Sequence, residues 1–329
     1  MRSSAFGRRC GLLAILCAFG LSCGSGDRKP EKEEWGTPGK PRPLTEEEME
    51  ADEPPPDVAK LIFLVSVQRR LYSFSPTTPG LAAYHEIGKL DCPGGGNPQS
   101  MAIDRNGIAW VFYDSRQLYR VNTANAKCEA TGYKHPSFHY QLGMGFTSTT
   151  PKSQSEQLFI QSPHFGLGTL AFPSLDVSKT GYFANTAAEL TGGGDGKLFM
   201  FQSEGAQLSE VSRTDFSLRP IHKFERMGYV SAWAFARYAG KFYVFTSGPD
   251  LRGSRTTIYD PARNAESVRD DNIGFVVVGA GQSTLVPPSD QSADIAGEDP
   301  PPLAPTQSPN VPPAPQPRPQ VDPNAPRTL

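Results

Sequence analysis

Glu189 is the residue whose surroundings most suggest chemistry: a carboxylate inside the otherwise apolar run Ala188-Glu189-Leu190-Thr191. A carboxyl group held among apolar neighbours is tuned toward proton transfer near neutral pH. The plainer reading is a carboxylate that accepts hydrogen bonds from neighbouring strand amides. Glycoside hydrolysis needs two acids placed across the scissile bond. The one other acid beside a comparable run is Asp104, and its place in Asp104-Arg105-Asn106-Gly107 is already explained by turn chemistry. Trp233, in Ser231-Ala232-Trp233-Ala234-Phe235, offers a ring to stack a sugar or an aromatic ligand, and serves equally well as a core side chain.

Other constellations carry less. His135 and His139 are four apart, with His164 further on, but no helix supports a metal-ligand spacing there, so loop placement is expected and no metal is assigned. Gly192-Gly193-Gly194-Asp195-Gly196-Lys197 lacks the Ser/Thr and the following helix of a phosphate loop. No GxSxG nucleophile motif is present within 58–286, and no cofactor is implied. With 32 Lys and Arg against 34 Asp and Glu and no basic stripe, a nucleic-acid partner is not expected.

The elements that must position these residues are strands. Short runs rich in Val, Ile, Phe and Tyr alternate with Gly, Asn, Asp and Pro throughout 58–286, for example Ile108–Tyr113 and Lys241–Thr246. No stretch sustains a helical period with caps. An internal repeat organises them. Small-residue or mixed runs open at Ser100, Leu142, Ala188, Ser231 and Val278, and strongly aromatic strands follow the first four. That spacing is the spacing of β-propeller blades. The fifth opener has no strands after it, while 58–90 has three strand-like runs and no opener. Joined, they make one blade and close the ring by pairing the two ends of the domain. The expectation is an all-β, five-bladed propeller; a sixth blade requires one hidden in divergent stretches such as 162–186, and a β-sandwich is the competing fold. Small openers suit inner strands that crowd the axis. Convergence there makes Glu189, Trp233, Gln282 and Asp104 the candidate axial ligand-binding residues, with Met101, Met144, Thr191 and Ser283 beside them.

The flanks have a different composition. Arg2, Arg8 and Arg9 precede an apolar stretch, Gly11 to Gly20, too short to span a bilayer and suited to a secretory signal over 1–22. It ends in Leu21-Ser22-Cys23-Gly24, which resembles the lipobox of bacterial lipoproteins, where the Cys becomes the lipidated first residue. Gly20 stands where that pattern usually has Leu, and cleavage of an ordinary signal near Ser22 is the alternative. By the same resemblance, Gly24 in place of Asp implies the outer membrane. Residues 23–57 then form an acidic, Pro-containing tether with almost no apolar residues to bury. Residues 287–329 form a Pro-rich tail that leans toward polyproline II. Export leaves Cys92 and Cys128 as an even pair in an oxidising compartment, either joined in a disulfide or buried as two unrelated thiols.

The runs SMAIDRNGIAWVFY, LGMGF, ELTGGGDGKLF, SAWAFARYAGKFYVFT and VVGAGQST resemble, in the same order, a family of propeller-type lipoproteins from Gram-negative bacteria; the match covers about 92–286. The resemblance implies a fold and an address but no activity. Leu285 stands where that family usually has Cys after GAG-ST, which leaves Cys92–Cys128 as the pair the resemblance implies.

The expected protein is a monomeric, lipid-anchored envelope propeller that binds or scaffolds a protein or glycan partner. The alternative is a lactonase- or glycosidase-like hydrolase with an axial site. Mass spectrometry of the mature N-terminus is expected to find an acylated Cys23. A bare N-terminus near Ser22 would instead make it an ordinary secreted protein.

Overall fold

The computed structural model describes residues 57–135, 137–138, 141–181, 186–225, 227–250 and 252–287. The signal segment, Cys23, the tether, nearly all of the tail and His139 lie outside them.

Twenty strands form five four-stranded antiparallel sheets. β1 (Ile62–Ser66), β2 (Arg70–Phe74) and β3 (Tyr84–Lys89) open blade one. Blade two is β4 (Pro98–Ile103), β5 (Ile108–Tyr113), β6 (Leu118–Asn122) and β7 (Cys128–Ala130). Blade three is β8 (Gly143–Ser148), β9 (Glu156–Ser162), β10 (Gly166–Leu170) and β11 (Val177–Gly181). Blade four is β12 (Ala188–Gly192), β13 (Leu198–Gln202), β14 (Gln207–Val211) and β15 (Leu218–Lys223). Blade five is β16 (Ala232–Tyr238), β17 (Lys241–Ser247), β18 (Arg255–Asp260) and β19 (Ala265–Asp270). The last strand, β20 (Val277–Gly281), pairs with β1 and is the innermost strand of blade one.

The described region is thus a five-bladed β-propeller closed by pairing of its first and last strands, and all five small-residue openers are inner strands. The stretch 162–186 supplies β10 and β11, the outer strands of blade three, and not a further blade. Two single 3₁₀ turns, Val58–Lys60 and Gly80–Ala83, are the only helical elements among the described residues, and neither is long or apolar enough to cross a membrane.

Each blade packs against its neighbours on both faces, so strands near the axis such as β1 and β5 are buried along their whole length. The outermost strands β3, β15 and β19 are largely polar and partly exposed. In β1, Ile62 and Leu64 face blade five while Phe63 and Val65 face blade two. In β5, Trp110 and Phe112 face blade three while Ala109 and Val111 face blade one. Five such clusters between adjacent blades make up the core. Fully burying each large side chain stabilises by about 1.5–3 kcal/mol.

Turn chemistry falls where the sequence places it. Asp104 Oδ1 accepts from the Ile108 amide at 2.9 Å and Gly107 turns with φ +77° between β4 and β5. Cys92 and Cys128 form a disulfide with Cα atoms 5.0 Å apart. It fastens the three-residue β7 to the segment that leads into β4. Closing a loop of that size stabilises by roughly 3–4 kcal/mol in the chain-entropy model.

Inner strands run parallel and nearly touch. A Cβ on Gly143 would lie 1.9 Å from the Ala188 carbonyl oxygen, one on Gly145 2.8 Å from the Thr191 nitrogen, and one on Gly279 2.8 Å from the Met101 nitrogen. Gly143→Ala is therefore expected to lower stability by about 3 kcal/mol or more in denaturant unfolding. Gly228→Ala, with nothing within 4 Å of the added carbon, is expected to stay within about 0.5 kcal/mol of wild type.

Candidate functional site

The upper face is the one where the inner strands begin, and the lower face is where they end. Alternation along β12 sends Ala188 and Leu190 into the cluster shared with blade three, which leaves Glu189 and Thr191 on the opposite side.

Glu189 reaches across the axis. Its Oε2 accepts from Ser100 Oγ of blade two at 2.8 Å, and its carboxyl also accepts from the Met144 amide of blade three. Burial holds it well above the usual carboxylate range, outweighing the two hydrogen bonds, which act the other way. No second charged group contributes to that shift. Below it, Thr191 Oγ1 donates to Gln282 Oε1 at 3.1 Å, and the Arg237 amide donates to both oxygens at 3.2 Å. The Gln282 amide nitrogen donates to the Gly192 carbonyl. Arg237 extends downward to Asp195 at 2.7 Å, its guanidinium 4.9 Å from the centre of the Phe199 ring. The space left beneath, about 10 Å³, admits no more than one water. Among the described residues, the buried side chains of Ser100, Glu189, Thr191 and Gln282 occupy the axis.

Of the four axial candidates, Glu189 and Gln282 lie there. Asp104 does not. It sits in the β4–β5 turn, with Oδ2 accepting from Trp110 Nε1 at 2.9 Å, and burial pushes it up to about 6. Trp233 also lies off the axis, in the cluster between blades four and five at the wall of an upper-face recess. His135 orders its own loop, Nδ1 accepting from the Ser137 and Phe138 amides. No group of three potential metal ligands occurs among the described residues. The glycine run 192–194 presents carbonyls and not amides: Gly193 accepts from Thr147 and Ser148, and Gly194 from Lys152.

Glu156 carried no signal in the sequence. It begins β9, where its oxygens accept from the Arg105 amide at 2.7 Å and Thr284 Oγ1 at 2.8 Å. It thereby staples blades two and three to the chain just beyond β20. Burial, and then the nearby Asp104, push it up to about 7. Both oxygens of Asp104 and both of Glu156 are occupied, so this pair of raised acids is structural.

Comparison with solved structures finds other propellers at long range. Virginiamycin B lyase from Staphylococcus aureus matches at 14% identity and a TM-score of 0.36, over 65% of this chain and 71% of that one. A chain of the nidogen/laminin complex matches at 6% identity and a TM-score of 0.47, over 67% and 97%. U3-55K matches at 12% identity and a TM-score of 0.39, over 63% and 59%. Likenesses this distant concern the fold and bring no activity or partner across. No protein-family model matches the chain, and neither does any curated protein sequence.

The raised acids set a pH dependence. Unfolding frees Glu189 to ionise at its ordinary value near 4.5, so its contribution is fully present below that pH and is lost as pH rises toward the folded-state value. Glu156 and Asp104 act in the same direction. Glu189→Gln should flatten part of the fall in stability as pH rises above about 5, measured by denaturant unfolding, while Glu189→Ala costs about 1–3 kcal/mol across that range. An unchanged slope in Glu189→Gln would contradict this.

Proposed function

We propose that this protein is a binding module of the cell envelope, exported and anchored to the outer membrane through a lipidated Cys23. On this reading, residues 24–57 hold the propeller off the bilayer so that it can engage a protein or glycan partner. Several acyl chains on one Cys suffice for stable anchoring, since each buried CH₂ contributes about 0.8 kcal/mol.

The observation that carries the binding reading is the sealed axis. The lactonase- or glycosidase-like alternative requires acids that converge on open space. Here Glu189 is bound by Ser100 and by the Met144 amide, Asp195 below it is paired with Arg237, and the space between the described residues beneath the plug is water-sized. A general acid also needs a partner group within reach of the same substrate. The other raised acids, Asp104 and Glu156, have their oxygens engaged by the backbone, Trp110 and Thr284.

The test incubates the full chain with isolated peptidoglycan, lipopolysaccharide and solubilised outer-membrane proteins, and in parallel with lactone and aryl-glycoside substrates. Retention by one of the envelope fractions without turnover is expected, with Glu189→Gln retained equally. Turnover that Glu189→Gln abolishes would establish the hydrolase instead.

A further inference from the structure

Two recesses open on the upper face of blades four and five and share one wall, 227–230. The first, of about 330 Å³, lies over blade five; the second, of about 880 Å³, runs over blade four past Trp233. These are sizes at which small ligands bind. Tyr229 stands on the ridge between them, 81% exposed. The exposed large hydrophobic side chains among the described residues are Leu81, Tyr229, Val268 and Leu285, and two of the four, Tyr229 and Val268, line the first recess. Exposed apolar groups gathered in a concavity mark a binding site more than scattered ones do.

Both arginines of the first recess are already paired with carboxylates. Arg255 pairs with Asp271 at 2.9 Å and Arg252 with Asp250 at 3.5 Å, while Glu266 is engaged by His222 at 3.2 Å. An anionic ligand would have to displace a carboxylate from one of these arginines to gain it. A neutral ligand with many hydroxyl groups need not, because its hydroxyls donate to the carboxylates and accept from the guanidinium groups at once. A pyranose ring also presents an apolar face that suits an exposed tyrosine. A protein partner would call for a broader apolar surface than this cleft presents.

We infer that the paired recesses bind a neutral oligosaccharide, with Tyr229 stacking against one sugar ring and Asp250, Arg255 and Asp271 bonding its hydroxyls. Trp233 lines the continuation of the groove for a further unit. The assignment rests on the binding-module reading and names the ligand class and place for it.

Calorimetry and tryptophan fluorescence on the full chain, with short neutral cello-, malto- and chito-oligosaccharides and a uronate-containing series, test it. At least one neutral series is expected to bind, more tightly than the uronates. Tyr229→Ala should weaken that binding by about tenfold or more, whereas Tyr229→Phe keeps it and Asp271→Asn weakens it. Because Tyr229 is exposed, these variants keep the fold, and Glu189→Gln should bind as wild type does. No binding by any neutral series, tighter binding of uronates, or indifference to Tyr229→Ala would each overturn the assignment. If neutral sugars fail while an envelope fraction still retains the protein, the site is wrong and the binding module stands. If no fraction retains it, the binding-module reading falls as well.

Discussion

Five inner strands meeting at one axis impose the constraint on which the rest of this structure depends. Strands at a normal sheet edge leave a row of unpaired amides and carbonyls. Here five such edges face each other, too close for bulky side chains and too enclosed for bulk water, and buried polar groups without partners are costly. Glycine and alanine solve the first problem, as at Gly143 against Ala188. The second is solved by two polar layers. Glu189 ties blade four to blades two and three through Ser100 and the Met144 amide. Thr191 ties the same blade to five and one through the Arg237 amide and Gln282. Blade four belongs to both layers, so the two together connect all five blades through one strand, β12.

A ring has a second weakness, its seam. β20 pairs with β1, so blade one is built from residues separated by almost the whole domain. Such non-local pairing has a large loop-closure cost and forms late relative to local hairpins. The contacts just beyond β20 answer that weakness. Gln282 enters the axial plug, Ser283 donates to the Arg105 carbonyl, and Thr284 donates to Glu156. The final described residues thus fasten blade one to blades two, three and four. The disulfide does comparable work within blade two, where the outermost strand has only three residues to hold it.

The fold was legible because blades are local. Each hairpin signals itself with turn residues, and burial on both faces makes strands such as Ile108–Tyr113 continuously apolar. The missing opener in 58–90 and the surplus opener at 278 imply closure by simple accounting. The site was legible only in part. Glu189 stood out as an acid among apolar residues, yet its partner Ser100 lies 89 residues away, and no spacing reveals that contact. Trp233 shares an opener's small-residue surroundings, but alternation along β16 sends it with Phe235 into the cluster between blades four and five. Alternation decides which neighbouring blade a side chain meets. Reaching the axis takes a side chain that curls past the inner strand, as Glu189 does. Glu156 and Tyr229 sit in polar or loop sequence, where nothing local separates a buried staple or a ligand ridge from ordinary surface.

A sealed axis also bears on where this propeller can work. With the centre used to hold the blades together, a ligand there would have to displace hydrogen bonds that connect the ring, and affinity would come at the expense of stability. A recess between blades carries no such conflict. Its walls include connecting residues such as 227–230, Asp250 and Arg252, whose side chains can vary while the inner strands and inter-blade clusters stay fixed. The matched ion pairs of the blade-five recess, Arg255 with Asp271 and Arg252 with Asp250, join side chains that are largely exposed and contribute little to folding. They are free to be reorganised by a ligand in a way that the Glu189–Ser100 contact is not. The division follows from burial: the polar groups at the axis are committed to structure, and those at the blade-five rim remain available for recognition.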